Sequence, residues 1–157
     1  MGEASVWSQI ESLYRADFRQ FERVARAIAG DRESGLEAVQ EGFADALRHA
    51  DQWTGRGSLE GWVWRCIVNR ARKARPRPLL ELPTDEIRTN GHHEDTELGV
   101  RLAALPERQR LVVFLRYFAD LEYREIAAAL EIEAGTVSAT LHAAHANLRA
   151  GYEKALA

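Results

Sequence analysis

The sequence of 157 residues contains only one cysteine, Cys66, and no uninterrupted apolar stretch near the roughly 20 residues that a membrane-spanning helix needs. A single cysteine cannot form a disulfide within the chain, which fits a reducing compartment. The first ten residues include Glu3 and lack the basic segment followed by an apolar one that marks a secretory signal. These absences predict a cytoplasmic protein.

Residues arranged for catalysis or for binding a metal are also missing. There is no Ser/His/Asp set, no glycine-rich phosphate loop and no pair of carboxylates in a catalytic context, so we expect neither an enzyme nor a bound cofactor. The His-His-Glu-Asp segment at 92–95 could bind a metal, but it falls in a stretch that has the composition of a linker. His142 and His145 could do so as well, yet no third ligand is evident. Cys66 is most simply a small core residue, although neighbouring cations could lower the pKa of its thiol.

The net charge of −3 is concentrated in one short segment. Residues 1–80 hold 13 basic and 11 acidic side chains, and residues 98–157 hold seven of each sign. Residues 81–97 hold six acids and a single base, Arg88. Because partners respond to the local field, the overall acidity does not exclude a nucleic-acid partner.

Apolar residues recur at three- and four-residue steps through most of the chain, which is typical of amphipathic helices, whereas strand signals are weak. The stripes predict helices over residues 5–29, from 31 to about 47, over 59–75, and three more from Pro106 onward. Residues expected on apolar faces include Tyr14, Phe21, Phe118 and Tyr123. Gly30 and Asp31 are typical of a helix end and of the N-cap of the next helix. Ser58 is expected to cap the helix that Pro76 and Pro78 end.

Two helical domains are expected, separated by a segment that loses the helical pattern. Residues 79–97 collect Pro83, Gly91 and the six acids, a composition typical of a flexible linker. We therefore predict an all-α protein with a helical domain at 1–78, an acidic flexible linker at 79–97 and a second helical domain at 98–157. In the second domain a short helix, a tight turn and a helix with a narrow apolar stripe form the helix-turn-helix pattern.

The strongest local feature is the run from Trp62 to Arg77, which holds six basic residues and no acid. With the apolar residues of this helix turned inward, Arg65, Asn69 and Arg72 fall on its outer face. Cations there can neutralise phosphates, and nearby tryptophans offer planes on which exposed bases can stack. The tryptophans concerned are Trp53, Trp62 and Trp64. The alternative is a solvated basic helix end with its tryptophans in the core, whose cations simply favour the helix C-terminus.

The last helix has a polar outer face that suits contacts with DNA. Its outward residues are expected to be Ser138, Ala139, His142, His145 and Arg149, flanked by Thr136 and Thr140. Such side chains can hydrogen-bond base edges and phosphates, although Arg149 is the one fixed cation among them. An ordinary three-helix bundle with no DNA partner would show the same apolar pattern.

Short motifs follow one another in a fixed order across both predicted domains. In the first domain they are Gly30–Glu33, Val39–Phe43 and Trp62–Asn69. In the second they are Leu105–Arg110, Leu115–Tyr117, Glu125–Ala127 and Gly135–Val137. Each motif is weak alone, but together their order and spacing resemble the extracytoplasmic-function sigma factors of bacterial RNA polymerase over nearly the whole chain.

The resemblance implies a non-enzymatic promoter-specificity subunit, with a role for each exposed face. The residues that would dock on the clamp helices of core RNA polymerase are Glu37, Gln40 and Glu41. The loop Gln52–Ser58 and the following helix would recognise and open the −10 promoter element, with a flipped-out base captured at Trp64 and Asn69. The implied −10 contacts are Trp53, Arg56, Ser58, Trp62, Trp64, Arg65, Asn69, Arg72 and Lys73. The implied −35 contacts, in the major groove, are Thr136, Ser138, Ala139, Thr140, His142, His145 and Arg149.

Two departures from the family pattern bear on the −35 contact. Family members often carry Lys or Arg where this chain has Ser138, Thr140 and Ala143. The turn of the motif usually has a glycine and a serine cap, where this chain has Glu131 and Glu133. Acids beside the groove repel phosphate, so we expect weak binding to the −35 element, chiefly through the histidine and threonines of the outer face.

The resemblance implies three partners: core RNA polymerase, promoter DNA and an anti-sigma factor, which commonly holds sigma factors of this type inactive. Membrane contact is expected only through such an anti-sigma factor. Two other functions remain open. A sigma-like decoy would bind an anti-sigma factor without contacting promoters, which the missing cations favour and the intact basic run argues against. A stand-alone helix-turn-helix repressor would act as a dimer without polymerase.

Overall fold

The computed structural model describes residues 4–74 and 93–157 of the chain. Within these ranges every regular element is helical, which confirms the predicted all-α fold. The first unit contains α1 (Val6–Ala29), α2 (Arg32–Arg48) and α3 (Leu59–Lys73), with a 3-10 turn at Ala50–Gln52. The second unit contains α4 (His93–Ala104), α5 (Glu107–Val113), a π-helical turn (Phe114–Phe118), α6 (Tyr123–Leu130) and α7 (Ala134–Leu156).

Helix boundaries in the first unit follow the capping signals of the sequence. Gly30 ends α1 in the left-handed region, at φ +98°, and its N–H donates to a carbonyl of the last turn at 2.9 Å. Asp31 then caps α2, its Oδ1 accepting from the Ser34 N–H at 2.8 Å. Ser58 Oγ accepts from the Gly61 N–H at 3.1 Å at the start of α3. The three predicted boundaries are therefore confirmed.

An aromatic cluster forms the centre of the first unit. Phe21 of α1 lies edge-on to Phe43 of α2, with ring centroids 5.0 Å apart, and 4.5 Å from the Trp64 ring of α3. Each such ring contact adds roughly 0.5–1.5 kcal/mol beyond the area it buries, so the cluster joins all three helices. Tyr14, expected on the buried face, lies at the rim and is 37% exposed. There its ring still contacts Phe43 while its hydroxyl can reach water.

Apolar residues from α5, the π-helical turn, α6 and α7 form the core of the second unit. Val112, Leu115, Ile126 and Val137 are fully buried there. Three residues separate α6 from α7, which agrees with the predicted helix-turn-helix pattern. Glu131 ends α6 in the left-handed region, at φ +56°, a position where glycine is usual.

Two aromatic residues expected on the buried face of the second unit lie at its surface. Phe118 and Tyr123 are 37% and 42% exposed. The backbone changes from α to π geometry at Phe114, and the wider turn moves Phe118 out of the helical phase on which the expectation relied. Tyr123 is the first residue of α6, and the Arg116 guanidinium lies 5.9 Å from its ring centroid.

Helix α4 begins at His93, inside the segment predicted to be a linker through residue 97. Acidic residues favour a helix N-terminus, so a run of acids is as compatible with a helix start as with a linker. Residues 79–92 of the predicted linker, together with Arg75 and Arg77, lie outside the described residues.

Helices α2 and α3 approach each other closely at Gly42. A Cβ atom at this position would lie 2.6 Å from Ile67 Cγ1 and 2.7 Å from Ile67 Cα. The backbone of α3 leaves no room for such an atom. Glycine at position 42 therefore sets the distance between the predicted polymerase-binding helix and the predicted −10 helix.

We predict that Gly42→Ala lowers the free energy of unfolding by about 1–3 kcal/mol, because overpacking forces the two helices apart. Gly135→Ala is the matched control, since a Cβ atom on Gly135 in α7 would meet no atom of the described residues within 4 Å. It should raise the stability by up to about 1 kcal/mol through helix propensity. Urea denaturation followed by circular dichroism measures both effects. Two substitutions with the same effect would contradict the close approach at Gly42.

Candidate nucleic-acid interface

Helix α3 carries Arg65, Asn69 and Arg72 on one face, at spacings of four and three residues. Arg65 and Asn69 are half-buried and Arg72 is exposed. Lys73, at the end of the helix, and Arg56, in the preceding loop, are exposed as well. These five polar residues, all predicted −10 contacts, therefore lie along α3 and the loop before it.

Of the other predicted −10 contacts, Trp53 and Ser58 precede α3 and Trp62 lies in its first turn. Trp53, Ser58 and Trp62 are half-buried. Ser58 uses its hydroxyl oxygen to cap α3, so its role in this structure is to fix where the helix starts. Gly55 and Gly57 have φ of +76° and +77°, which turns the loop in a way that side chains rarely permit.

Trp64 belongs to the core of the first unit. Its side chain has no exposed area, and its ring lies 4.5 Å from that of Phe21. This burial contradicts the expectation that the ring offers a plane for an exposed base. The sequence contains the signal, because Trp64 forms a buried helical stripe with Ile67, Val68 and Ala71 at i, i+3, i+4 and i+7.

Arg70 ties α3 to α2 within the first unit. Its Nε donates to Asp45 Oδ2 at 2.6 Å and its Nη2 donates to Asp45 Oδ1 at 2.8 Å, which makes the pair bidentate. Glu41 lies 3.7 Å from Nη1. The hydrogen bond from Arg70, assisted by one from Arg48, lowers the pKa of Asp45. The sequence analysis included Arg70 among the cations that could contact phosphate. Its main partner, Asp45, lies 25 residues earlier in the chain, so no local sequence pattern indicates the pair.

Two other cations of α3, Arg65 and Arg72, are paired with acids of the second unit. Arg65 forms an ion pair with Glu131, in the turn between α6 and α7. Arg72 Nε donates to Glu107 Oε1, at the start of α5, at 3.1 Å. The face of α3 predicted to bind the −10 element is therefore in contact with the helix-turn-helix unit.

The first turns of α3 and α6 pack against each other so closely that their backbones are nearly in contact. A Cβ atom on Gly61 would lie 3.2 Å from the Cα of Glu125. The Glu60 carboxyl lies next to this contact. Its burial is the main cause that raises its pKa, and the negative charge of Glu125 is the second. The contact thus combines close packing with a repulsion between two carboxylates that opposes it.

A further contact between the units involves the last carbonyl of the π-helical turn. The Phe118 carbonyl accepts from Gln20 Nε2 at 3.0 Å and from Arg23 Nη2 at 3.2 Å. The Arg23 guanidinium also lies 5.7 Å from the Phe118 ring centroid. Because terminal carbonyls of a helix lack partners within it, donors from α1 satisfy this one.

Helix α7 has the two faces that the sequence predicts. Val137 and Ala144 are fully buried and Leu141 nearly so, which confirms the inner face. The predicted −35 contacts that are exposed are Ser138, Ala139, His142, His145 and Arg149, and those that are half-buried are Thr136 and Thr140. The polar face is thus accessible even with both units in contact.

Tyr117 lies beside this polar face and was not among the predicted contacts. Its hydroxyl lies 2.9 Å from His145 Nε2, and its side chain is 57% exposed. Asn147 Nδ2 donates to Gln109 Oε1 at 2.8 Å in the same region. Both contacts join α7 to elements far away in sequence, so helical periodicity could not reveal them.

Helix α2 presents the predicted polymerase contacts on one surface. Glu37, Gln40 and Glu41 are all exposed, at i, i+3 and i+4. Val39 and Phe43 of the same helix are buried. The core of the first unit therefore fixes the direction in which the three polar residues point.

The described part of the chain holds no group of three or more His, Cys, Asp or Glu side chains placed to bind a metal. The His-His-Glu-Asp segment at residues 92–95, which the sequence offered as a possible metal site, lies outside the described side chains. Burial raises the pKa of the Cys66 thiol to about 11 and outweighs the lowering effect of Arg65 and Arg70, so the net lowering that the sequence suggested is wrong. In the two described ranges, none of the helices is both long and apolar enough to cross a membrane.

Comparison with known families matches both helical units. The family described as Sigma-70 region 2 matches residues 13–77. The family described as Sigma-70, region 4 matches residues 96–148. The two matches follow the order of the units, the first covering most of α1–α3 and the second most of α4–α7.

Individual proteins are similar along most of the chain. The RNA polymerase sigma-E factor of Streptomyces antibioticus is 37% identical over 152 residues, which cover 90% of this chain and 83% of that protein. The RNA polymerase sigma factor SigV of Bacillus subtilis is 28% identical over 133 residues, which cover 80% of each. A chain in the solved structure of CnrH in complex with the cytosolic domain of CnrY is 19% identical, with a TM-score of 0.74 over 95% of this chain and 96% of that one. This last similarity is one of fold.

We predict that Asp45→Asn lowers the thermal midpoint at neutral pH by about 2–4 °C, because it removes the bidentate pair between α2 and α3. The pKa of Asp45 is lowered in the folded chain, so its stabilising contribution is present above the ordinary value of 3.8 and is lost as the pH falls through the lowered value. The difference from wild type should therefore shrink on acidification in scanning calorimetry. Asp51→Asn, on the exposed 3-10 turn, is the control and should show no difference at either pH.

Proposed function

This chain belongs to the extracytoplasmic-function sigma factors of the sigma-70 family, and on that premise we propose that it directs core RNA polymerase to specific promoters in the cytoplasm. The observation that carries the proposal is the match of both sigma regions, in order, to the two helical units. In this role the polymerase makes the chemical bonds, so the chain needs no catalytic residue of its own.

Core polymerase is proposed to bind the exposed surface of α2. Glu37, Gln40 and Glu41 supply acceptors and negative charge on a rigid helix, which suits a basic partner surface. Gly42 and the Asp45–Arg70 pair fix α2 against α3. Docking on α2 would therefore also set the position of the −10 helix.

The −10 element is proposed to lie along α3 and the loop before it. The cations proposed to meet phosphates on this surface are Arg56, Arg65, Arg72 and Lys73, of which Arg65 and Arg72 would have to leave their acidic partners in the second unit. Each phosphate contact with a single strand should contribute roughly −0.7 to the log–log slope of affinity against salt. Ser58 contributes indirectly, through the cap that fixes the start of α3.

A base that leaves the stack needs an aromatic surface and a hydrogen-bonding partner. Since Trp64 is buried against α1, we assign stacking to the half-buried rings of Trp53 and Trp62. Asn69 has both a donor and an acceptor on the same face of α3 and is assigned to the base edge. Stacking on one aromatic ring is worth about 1–3 kcal/mol, which is comparable with the few kcal/mol needed to unstack the base.

The −35 element is proposed to meet the polar face of α7 in the major groove. Hydrogen bonds to base edges would come from the residues on that face, which are Thr136, Ser138, Thr140, His142 and His145, with Ala139 in apolar contact. Arg149 supplies a phosphate contact at the far end. With one cation among these residues, the binding should depend on hydrogen bonds more than on charge.

An anti-sigma factor is the proposed regulatory partner. CnrH, whose structure shares the fold of this chain, was solved in complex with the cytosolic domain of a second protein, CnrY. Family membership supports a protein partner of this kind for this chain as well. Any membrane contact of this chain would then be made through that partner.

A sigma-like decoy is the second candidate function. It is favoured by the pairing of Arg65 and Arg72 with acids of the second unit and by the few cations on α7. A decoy would bind an anti-sigma factor and would not let polymerase start at any promoter. Transcription from purified components separates the two functions.

We predict that Glu37→Arg abolishes co-elution of the chain with core polymerase in size-exclusion chromatography, because it reverses the charge of the exposed α2 surface. Glu153→Arg makes the same change at an exposed position of α7 and should co-elute as wild type does. Both variants should keep the wild-type circular dichroism, since neither side chain is buried. Unchanged co-elution of Glu37→Arg would contradict α2 as the docking surface.

We predict that Asn69→Ala lowers site-specific transcripts from a genomic promoter library by about tenfold while polymerase binding is kept, because the hydrogen bonds to a captured base are lost. Gln9→Ala removes an exposed amide at the start of α1 and serves as the control. Wild-type transcription by Asn69→Ala would remove Asn69 from the base site. A wild-type chain that neither binds polymerase nor yields any transcripts would favour the decoy.

A further inference from the structure

One side-chain pair joins the polar face of α7 to the π-helical turn. The Tyr117 hydroxyl lies 2.9 Å from His145 Nε2, and the two ring centroids are 5.8 Å apart at an interplanar angle of 36°. Both side chains are exposed, and His145 belongs to the face of α7 that is proposed to meet the −35 element. His145 Nδ1 forms no hydrogen bond with the described residues. The pair therefore engages one ring nitrogen and leaves the other for a partner outside the unit.

We propose that Tyr117 is a positioning residue of the −35 surface, which holds His145 so that Nδ1 presents an N–H donor to an acceptor atom of promoter DNA. The inference rests on the proposed −35 assignment of α7. A neutral imidazole has one N–H and one acceptor nitrogen, and the hydrogen bond that one nitrogen makes decides which of the two carries the proton. A phenol O–H is a donor that suits the acceptor nitrogen. The Tyr117 hydroxyl accordingly donates to Nε2, which leaves the proton on Nδ1.

The backbone that carries Tyr117 is fixed by its own turn. The Ala119 N–H donates to the Phe114 carbonyl at 3.1 Å, and the Leu121 N–H donates to the Leu115 carbonyl at 3.0 Å. The side chains of Phe114 and Leu115 are buried in the core of the second unit. The tyrosine therefore extends from a rigid support toward α7.

A second polar contact fixes α7 two residues beyond His145. Asn147 Nδ2 donates to Gln109 Oε1 at 2.8 Å, and Leu141 and Ala144 of the same helix are buried. The position of the helix thus has supports that do not involve the tyrosine hydroxyl. What the hydroxyl decides is the orientation of the imidazole ring and the nitrogen that carries its proton.

An exposed histidine without such a partner is spread over several states. Its ring turns about the Cβ–Cγ bond between two main orientations, and in each the proton is on either nitrogen. Only one of these roughly four states has an N–H at the place of Nδ1, so holding it in advance should tighten DNA binding by up to about fourfold. Acceptors on promoter DNA are the base edges in the major groove, such as guanine O6 and N7, and the phosphate oxygens.

Nitrogen NMR of the imidazole rings tests the hydrogen bond in the free chain. In slightly alkaline buffer, where imidazoles are neutral, we expect His145 to show a protonated Nδ1 and an unprotonated Nε2. The spectrum of His145→Ala assigns these signals. Tyr117→Phe removes only the hydroxyl oxygen and should leave a mixture of the two tautomers. Tyr152→Phe makes the same change at an exposed position of α7, where the hydroxyl forms no hydrogen bond with the described residues, and should leave the spectrum unchanged. Identical His145 signals in wild type and Tyr117→Phe would overturn the inference.

A double-mutant cycle on the holoenzyme tests whether the tyrosine acts through the histidine. Tyr117→Phe, His145→Ala and the double variant are each bound to core polymerase and given a randomised promoter library at limiting holoenzyme. We expect transcripts to fall about twofold to fourfold for Tyr117→Phe and about threefold to tenfold for His145→Ala. The double variant should match His145→Ala, whereas a loss caused by a weakened fold would persist in that background. Tyr152→Phe should transcribe as wild type does.

The sequences of the transcribed promoters identify the acceptor. A changed preference at one promoter position in Tyr117→Phe and His145→Ala would assign Nδ1 to a base edge. An equal loss for all sequences would assign it to a phosphate.

The outcomes also separate this inference from the proposed function. A loss for His145→Ala with none for Tyr117→Phe would overturn the inference and leave the −35 assignment of α7 intact. A loss for Tyr117→Phe that is undiminished in the His145→Ala background would overturn it too, because the tyrosine would then act on its own. Wild-type transcription by His145→Ala would remove His145 from the −35 surface and the inference with it.

Discussion

Helix α3 has to satisfy two sets of partners with 15 residues, and the rest of the structure is arranged around this constraint. Its apolar side inserts Trp64 and Ile67 among α1 and α2, where both are fully buried. That packing fixes the rotation of the helix about its axis, and so it fixes where Arg65 and Arg72 project. Guanidinium groups held beside a protein surface need acceptors, which either DNA or nearby carboxylates can supply.

The cations of the basic run are not equivalent, although they look alike in the sequence. Arg70 is held by Asp45 within the first unit, in a bidentate pair that joins the two helices on which the proposed function depends. Arg65 and Arg72 take their acids from 66 and 35 residues further along the chain. The first pairing persists whenever the first unit is folded, whereas the other two require the units to be in contact. One run therefore contains a cation held within the first unit and two cations whose acids belong to the second unit.

Features with a local cause could be predicted from the sequence. Gly30, Asp31 and Ser58 act through neighbours within four residues, and helical periodicity placed most of the core. The burial of Trp64 could also be predicted from its place in an apolar helical stripe. The family resemblance, however, implied that its ring is accessible to a base. Phe118 could not be placed, because no sequence rule marks where an α-helix widens into a π-helical turn. Pairs between the units could not be predicted either, since charge is visible in a sequence but partners far apart are not.

Glu131 shows how a locally unfavourable residue can have a favourable effect elsewhere. A side chain in the left-handed region costs about 1–2 kcal/mol relative to glycine, whereas a half-exposed ion pair contributes about 0.2–1 kcal/mol. The pair with Arg65 therefore does not offset the backbone cost, and glycine would suit the second unit better. The Glu131 carboxylate nevertheless meets the Arg65 guanidinium of the first unit, so the turn between α6 and α7 contributes to the contact between the two units at a cost to its own backbone.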